Sequence, residues 1–388
     1  MPLGNEAPET LSTSASPPVS LQQVQRPLLP PASAIAPYLD RIDGARWYSN
    51  RGPLVWELES RLCAQFGLGE RSVALLSSGS AAIEAAIIAH AGIATAERPL
   101  ALMPSYTFIA TALSAMRCGY EPYFVDVDPD SWMPDPEAMA AHPMLARAGL
   151  VLPVAAYGCR PDMAGWERFQ DATGCPVVVD AAAAFEQFEQ GAGPVSATVP
   201  AVLSLHATKT FSTAEGGAVL WNAPDKWVRV AQVTNFGMSD ARRCEMDGFN
   251  GKLSEYHAAV GLAQLDHWAE RRARFDALAA AYRAAAQAAG PLPGTLRLSP
   301  EISGAYVLLE CTDEDRADRV CAALGALGIG SRRWYGRGLH GEPLMAGRGR
   351  DPLPVTERLS GAHIGLPAAV DLTEDDIALV IRTIAGVN

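Results

Sequence analysis

The chain has 388 residues, of which 49% are hydrophobic and 19% are charged, and its formal net charge is −12. This composition is that of a globular protein long enough for two domains and a large core. The acidic balance argues against a general nucleic-acid binder and against a protein that docks on anionic membrane.

Residues 1–33 are rich in Pro, Ser, Ala and Gln, with the pairs Pro17-Pro18 and Pro30-Pro31. A segment of this composition buries too little apolar surface to offset the entropy lost on ordering. It therefore predicts a flexible tail. Ordered structure is expected to begin near Ile35.

Residues 34–250 are predicted to form one large domain. After a turn over 47–53 and a helix over 54–66, short apolar stretches alternate with helices. The predicted strands are 73–76, 100–103, 123–128, 150–155, 177–180, 202–205 and 218–221. Continuous Val, Leu and Ile strands that alternate with helices predict an α/β fold with a mostly parallel sheet covered on both faces.

Residues 251–388 are predicted to form a smaller C-terminal α+β domain. Apolar residues at helical spacing predict one or two long helices over 254–288. Strands are expected over 305–310 and 329–335, and helices over 313–327 and 373–385.

The compartment is expected to be the cytoplasm. The N-terminus lacks a charged segment followed by an apolar core, so no signal peptide is expected. No run of about 18 apolar residues is present, so no transmembrane helix is expected. Seven scattered cysteines without a CxxC pair predict reduced thiols, and neither a disulfide framework nor a zinc site.

Lys209 ends the stretch Ser204–Lys209, between two predicted strands, and Glu215–Gly217 follows. Lysine rarely lies among small and apolar residues unless it has a partner or a chemical task. A desolvated amine loses its proton more readily and attacks a carbonyl, so Lys209 is a candidate Schiff-base lysine. A lysine on a surface loop would also explain this position, so the other parts of such a site must be found.

The stretch Ser77–Ala81 follows a predicted strand and opens a helix rich in Ala and Ile. A helix N-terminus presents free N–H groups and binds anions such as phosphate, although an ordinary serine cap needs no ligand. Ligands of parallel sheets bind at the carboxyl ends of the strands. Phe108, Asp180 and Lys209 lie at or just past such ends, so we expect them to converge.

Asp180 ends a predicted buried strand and is followed by four alanines. A buried carboxylate needs a cationic or hydrogen-bonding partner, unless this residue is only a loop aspartate that caps a helix. A protonated pyridine nitrogen would be such a partner, and it would make the ring an electron sink. A pyridoxal phosphate site needs a lysine, a carboxylate, a flat aromatic ring and an anion site. This sequence offers Lys209, Asp180, the ring of Phe108 and an anion site that Ser204 also reaches.

Several stretches occur in a specific collinear order: Asn50–Leu54, Ser77–Ala81, Pro104–Thr111, Phe124–Asp128, Tyr157-Gly158, Asp180–Ala182, Ser204–Lys209, Glu215–Gly217 and Gly248–Asn250. In this order they resemble the DegT/DnrJ/EryC1/StrS family of pyridoxal-phosphate-dependent sugar aminotransferases. The resemblance runs from about Tyr38 to the C-terminus. It implies the aspartate-aminotransferase-like fold (fold type I), with a large domain and a smaller C-terminal domain.

The resemblance implies roles around the cofactor ring. Lys209 forms the imine with pyridoxal 5'-phosphate and later moves the proton, and Asp180 pairs with the pyridine nitrogen. Phe108 stacks on one face of the ring, and Ala182 packs on the other face. At Ala183, where the family usually has Gln or His against the ring hydroxyl, this sequence departs from the pattern. Water or another residue must replace that contact, or the electronic properties of the cofactor are altered.

The resemblance also implies a phosphate site and a second subunit. The groups that hold the phosphate are the amides of Gly79, Ser80 and Ala81 and the hydroxyl of Ser204. Asn250, with Lys252 beside it, reaches the phosphate from the partner subunit. This implies a homodimer with shared active sites.

The substrate residues are expected in a C-terminal segment that is similar to the nucleotide-sugar site of the family: Arg332, Arg333, Tyr335 and His340. Arginine suits a diphosphate because it forms bidentate hydrogen bonds, although a solvated basic strand edge would contain the same residues. The Arg-Trp-Tyr combination is similar to members that act on 4-keto-6-deoxy sugars linked to dTDP.

The implied function is the transfer of an amino group from an amino acid, usually glutamate, to a keto sugar linked to a nucleotide. Two alternatives remain open at this point. A pyridoxal-phosphate-dependent sugar dehydratase would have histidine in place of the lysine, so the presence of Lys209 argues against it. A regulatory or non-transaminating protein that keeps the fold and the cofactor is favoured only by Ala183.

Overall fold

A computed structural model describes residues 21–190, 195–239 and 242–387, so the first 20 residues of the predicted tail lie outside the described residues. The helices are α1 (Ala32–Ala45), α2 (Pro53–Gln65), α3 (Gly79–His90), α4 (Ile109–Arg117), α5 (Pro136–Ala140), α6 (Met163–Thr173), α7 (Pro224–Val233), α8 (Glu255–Asp266), α9 (Trp268–Ala289), α10 (Glu314–Ala326), α11 (Pro354–Ala362) and α12 (Glu374–Ala385). The strands are β1 (Val73–Leu76), β2 (Leu100–Pro104), β3 (Glu121–Val125), β4 (Ala148–Val151), β5 (Val179–Asp180), β6 (Ala201–Ser204), β7 (Gly217–Leu220), β8 (Gly294–Arg297), β9 (Val307–Cys311) and β10 (His363–Leu366).

The large sheet has the strand order β3-β2-β4-β5-β6-β7-β1 within the described residues. β2 pairs in parallel with β3 and β4, and β5 pairs in parallel with β6. Parallel bridges from Val151 to Val177 and from Val154 to Asp180 join β4 to β5. β7 is antiparallel to both β6 and β1. The predicted mostly parallel sheet is therefore confirmed.

Helices cover both faces of this sheet. Successive strand residues point alternately into two apolar cores, as the period of a strand requires: Val73 and Leu75 face one core, and Ala74 and Leu76 face the other. α2, α6 and α8 contribute to the first core, and α3, α4 and α7 contribute to the second. Because most strand residues are buried on both faces of the sheet, strands such as β1, β2 and β7 are continuous apolar stretches without polar alternation.

The C-terminal part contains a second, antiparallel sheet of order β10-β9-β8 with a core of its own, to which α9, α10 and α12 contribute. The predicted long helical region is two helices, since α8 ends at Asp266 and α9 begins at Trp268. The prediction of a strand over 329–335 is wrong. There the backbone makes one bridge, Arg332 to Gly365, because the chain turns at 334–337.

The described part of the predicted tail, 21–31, lies against the C-terminal part. Leu21 O accepts a hydrogen bond from Gly330 N, and Val24 O accepts one from Ala368 N, both at 2.8 Å. α1 then begins at Ala32, slightly before the predicted start of ordered structure. Among the described helices, none has the length and hydropathy needed to cross a membrane.

Candidate active site

Four strands of the large sheet end at one edge, and the predicted cofactor residues follow these ends. β1, β2, β5 and β6 run in the same direction, since β7 is antiparallel to both of its neighbours. A cavity of about 400 Å³ lies at this edge. Its wall includes Gly79, Ser80, Phe108, Asp180, Ala182, Ser204 and Lys209. This is the place where ligands bind in open α/β sheets.

Lys209 lies in the loop between β6 and β7, and it lines the cavity. The loop is anchored by Phe211, which is fully buried and stacks on Phe185 with ring centroids 4.6 Å apart. Lys209 Nζ donates a hydrogen bond to Tyr306 Oη at 3.1 Å. The amine is thus held at one point in the cavity, as a nucleophile toward an aldehyde must be.

Asp180 is the last residue of β5, and only 4% of its surface is exposed. Thr111 Oγ1 donates to Asp180 Oδ2 at 2.7 Å, and the amide of Ala182 donates to Oδ1 at 3.1 Å. Burial raises the pKa of Asp180, while these hydrogen bonds and the charge of Lys209 act in the opposite direction. A bound cationic nitrogen would add a strong stabilisation of the carboxylate form.

The turn between β1 and α3 offers an anion site. Ser78 caps α3, and its Oγ accepts from the amide of Ala81 at 3.1 Å, so this predicted phosphate donor is engaged in the cap. In the described chain the amides of Gly79 and Ser80 donate to no protein acceptor. A Cβ at Gly79 would lie 2.9 Å from Ser204 Cβ, so only glycine allows Ser204 to approach this closely. Two free amides at a helix N-terminus and a nearby hydroxyl suit a phosphate.

Apolar groups complete the wall where a flat ring would lie. Phe108 is the N-cap residue of α4, lines the cavity and is 60% exposed, so its ring is available to cover a ligand. Ala182 and Ala183 line the cavity as well. Ala183 presents only a methyl group there, so the departure from the family pattern corresponds to a real lack of a polar group at this position.

The structure separates the four predicted substrate residues. Arg332 and Tyr335 line the cavity, and the Arg332 guanidinium stacks on Trp334 at 4.3 Å from the ring centroid. Arg333 points elsewhere and forms ion pairs with carboxylates of α10. His340 Nδ1 lies 2.8 Å from Ser105 Oγ, and its side chain does not contribute to the described cavity wall.

Asn250 lies outside the cavity wall of its own chain. It is exposed and forms a backbone bridge with Asn235. Lys252 Nζ donates to Asn235 Oδ1 at 3.2 Å. The same segment contacts the turn between β1 and α3 through Gly251 O, which accepts from Ser77 N at 2.8 Å. An exposed position of this kind is compatible with a contact to a neighbouring subunit.

Three residues of the site were not singled out from the sequence: Thr111, Tyr306 and Gln25. Thr111 is the partner of Asp180, and its position one turn after Phe108 in the predicted helix was a usable signal. Tyr306 precedes β9, and Gln25 lines the cavity while Gln25 Nε2 donates to Ala305 O at 3.1 Å. No local pattern marks these last two, because they reach the cavity from the C-terminal part and from the N-terminal segment.

The donor set fits pyridoxal phosphate: an amine for the aldehyde, a buried carboxylate for the ring nitrogen, an anion site for the phosphate and apolar walls for the ring. The fold and these groups define a pyridoxal-phosphate-dependent aminotransferase of fold type I. The chain belongs to the DegT/DnrJ/EryC1/StrS aminotransferase family, whose model matches residues 32–385.

Relatives cover almost the whole chain. Protein Rv3402c of Mycobacterium tuberculosis (strain ATCC 25618 / H37Rv) is 30% identical over 372 residues, which are 92% of this chain and 88% of that protein. The dTDP-4-amino-4,6-dideoxy-D-glucose transaminase of Escherichia coli is 26% identical over 94% of this chain and 98% of that protein. The crystal structure of DesI, analysed in the presence of its TDP-sugar product, matches with a TM-score of 0.82 at 30% identity, over 94% of this chain and 92% of that one.

Proposed function

We propose that the protein transfers the amino group of an amino acid, glutamate, to the keto carbon of a nucleotide-linked sugar, a dTDP-4-keto-6-deoxy sugar. The observation that carries the proposal is the convergence of Lys209, Asp180 and the N-terminus of α3 on one cavity. Relatives named for a dTDP amino sugar and for a TDP-sugar product support the class of acceptor. Lys209 argues against the dehydratase alternative.

The residues at the strand ends hold the cofactor. Gly79, Ser80 and Ser204 bind its phosphate, and Asp180, oriented by Thr111, keeps its ring nitrogen protonated. When bound, pyridoxal phosphate supplies an electron-withdrawing ring that stabilises negative charge on the carbon next to the amino nitrogen. Lys209 Nζ removes a proton at that carbon and returns one, as a general acid and base.

Arg332 is the group that suits the anionic part of a nucleotide sugar. It is exposed at the cavity wall, and no described carboxylate lies within ion-pair distance of its guanidinium. Its neighbour Arg333 differs, because Glu314 and Asp318 already pair with it. Arg332 therefore binds the diphosphate, while Trp334 holds its guanidinium plane and Tyr335 lines the wall beside it.

The proposal includes a homodimer in which Asn250 of one subunit completes the phosphate site of the other. Exposed aromatic side chains surround this segment: Trp47, Tyr48, Phe236 and Tyr256, here named the aromatic patch. Tyr48 and Tyr256 stack with centroids 6.3 Å apart, and Phe236 lies beside Lys252. Exposed apolar clusters of this kind mark interaction surfaces.

The attachment of the cofactor tests the assignment directly. The chain has three lysines, Lys209, Lys226 and Lys252, so a mass measurement after borohydride reduction assigns the attachment site without ambiguity. We expect the label on Lys209 alone. Lys209→Ala should lose both the label and turnover, whereas the surface control Lys226→Ala should keep both. A label on another lysine, or turnover by Lys209→Ala, would refute the assignment.

The half-reactions distinguish the alternatives. Glutamate alone should bleach the visible band of the wild-type protein and release one 2-oxoglutarate per site, since the first half-reaction needs no sugar. Addition of a dTDP-4-keto-6-deoxy sugar should then restore the band and yield an amino sugar, detected by mass. A protein that binds the cofactor but reacts with no amino donor would instead support the non-transaminating alternative.

A further inference from the structure

Position 183 is the point at which the cavity wall departs from the family pattern. Ala183 lines the cavity and belongs to an apolar cluster that also contains Tyr157 and Tyr306. A methyl group neither donates nor accepts a hydrogen bond. The residue expected here contacts the ring hydroxyl of the cofactor, so in this chain that hydroxyl needs another partner.

Tyr306 is the side chain of this cluster that contacts the amine of Lys209. Its Oη accepts from Lys209 Nζ at 3.1 Å, and it lines the same cavity. Its ring meets the rings of Tyr157 and Trp334 nearly at right angles, with centroids 5.4 and 5.5 Å away. Its amide donates to Ser303 O at 3.0 Å. Packing on two sides and a fixed backbone hold the hydroxyl in one place.

The other tyrosines of the cavity wall are engaged differently. Tyr335 Oη accepts from the backbone amide of Tyr157 at 3.3 Å. The ring of Tyr157 packs against those of Tyr106 and Tyr335, with centroids 6.1 and 4.7 Å away. Of the tyrosines that line the described cavity, Tyr306 alone is hydrogen-bonded to Lys209 Nζ.

Pyridoxal phosphate has its ring hydroxyl on the carbon next to the one that bears the aldehyde. The lysine nitrogen that joins the aldehyde therefore comes close to the ring oxygen, and a hydroxyl beside that nitrogen is near both. We propose that Tyr306 Oη is the hydrogen-bond partner of this ring oxygen and of Lys209 Nζ, in place of the group missing at Ala183; this rests on the proposed function. A tyrosine hydroxyl suits the task because it both donates and accepts.

The proposal makes Tyr306 a positioning residue with a spectroscopic signature. A hydrogen bond donated to the ring oxygen withdraws negative charge from the neighbourhood of the lysine nitrogen, so the loss of that bond makes the nitrogen more basic. The visible band of the bound cofactor titrates with this protonation. In Tyr306→Phe we expect the titration midpoint of the holoenzyme to rise by about one pH unit, a tenfold change in proton affinity.

Two further variants make the measurement specific. Tyr335→Phe removes a hydroxyl from the same wall, and its midpoint should stay at the wild-type value because that hydroxyl is bonded to the backbone. Ala183→Gln in the Tyr306→Phe background restores a donor at the usual position, and it should bring the midpoint back toward wild type. Should Tyr306→Phe fail to fold, 3-fluorotyrosine at position 306 replaces it. This residue keeps the ring and has a more acidic hydroxyl, so it should lower the midpoint.

The outcomes separate this inference from the function itself. If wild-type protein forms no visible band with pyridoxal phosphate, the proposed function fails. If the band forms, and the midpoints of wild type and Tyr306→Phe coincide, only the role of Tyr306 is refuted. An equal rise in Tyr335→Phe would also refute it, since the effect would then be a general loosening of the wall. With 3-fluorotyrosine at position 306, an unchanged titration midpoint would likewise refute the role of Tyr306.

Discussion

Asp180 shows how a single residue can combine a stability cost with the function proposed for it. Its carboxyl group is almost fully buried among small side chains, and burial raises its pKa. Thr111 and the amide of Ala182 provide one hydrogen bond to each oxygen, which orients the group but does not neutralise it. A site of this kind is costly when empty and is stabilised by a bound cation.

Asp180→Asn is expected to stabilise the cofactor-free protein and to impair the loaded one. When the pKa of a carboxyl group is higher in the folded than in the unfolded protein, the folded protein is most stable below the unfolded pKa. This stability is lost as the pH rises through the folded pKa, because the buried group must then ionise. The advantage in Tm of the variant should therefore grow between pH 4 and 7, as measured by thermal denaturation without cofactor. Turnover should fall on the order of 10²–10³-fold, because the ring nitrogen loses its counter-charge.

The exposed control Asp225→Asn should leave turnover unchanged and should not show a gain in Tm that grows with pH, since its carboxylate lies on the surface in the first turn of α7. Equal Tm values for wild type and Asp180→Asn across this pH range would contradict the argument. It would mean that Thr111, the Ala182 amide and the charge of Lys209 together compensate the burial of the carboxylate completely.

At the scale of elements, the strand ends were predictable and the contacts between distant segments were not. Alternating apolar runs indicated the strands that end near Ser78, Phe108, Asp180 and Ser204, and the rule for parallel sheets then brought these residues to one edge. Tyr306 is different. It comes from a segment nearly 100 residues after Lys209, and packing of the C-terminal part on the large domain decides which side chain meets the amine.

The N-terminal segment shows why composition alone gave the wrong prediction for residues 21–31, the C-terminal end of the predicted flexible tail. Few large apolar residues predicted disorder over 1–33, but 21–31 is held by backbone groups that would otherwise lack partners. Gly330 is one of them: its N donates to Leu21 O, and a Cβ there would lie 2.2 Å from Gln22 O. The segment therefore needs a glycine opposite it, and no composition count contains that information.

Gly330→Ala should displace this segment. The added methyl group would collide with backbone atoms, so we expect a loss of about 1–3 kcal/mol in the free energy of unfolding. Because Gln25 of the same segment lines the cavity, KM for the amino donor or the sugar should rise as well. Denaturant titration and steady-state kinetics measure the two effects.

Gly325→Ala is the matched control for Gly330→Ala. Gly325 lies in α10, and a Cβ there meets no atom within 4 Å. The substitution should stabilise the protein by about 0.5–1 kcal/mol, because alanine restricts the unfolded chain and favours a helix. A loss of stability in both variants would show that the contact with Gln22 is not the cause.

At the scale of the whole molecule, the sequence motifs predict a homodimer, and the structure contains a single chain. The aromatic patch lies on the surface around the segment that contains Asn250, with nearly half of each ring-bearing residue exposed. Asn250 itself is exposed and does not line the cavity of its own chain. A symmetric dimer formed through this patch would bury it on both subunits. We propose that this arrangement brings each Asn250 to the site of its partner. The family resemblance, and no local pattern, was the source of this prediction.

Subunit complementation tests the shared site. Lys209→Ala and Asn250→Asp should each be inactive as purified proteins, the second because its carboxylate repels the phosphate. In a hybrid dimer, one site combines Lys209 of the second variant with Asn250 of the first, and it is intact. After unfolding and refolding of an equal mixture, half of the dimers are hybrids with one intact site in two, so about one quarter of wild-type activity should return.

Lys209→Ala mixed with Lys209→Ala/Asn250→Asp is the matched control. It can form no intact site and should stay inactive. No recovery in the test mixture despite hybrids seen by native mass spectrometry would show that each site is built from one chain. Recovery in the control would show that turnover does not require Lys209.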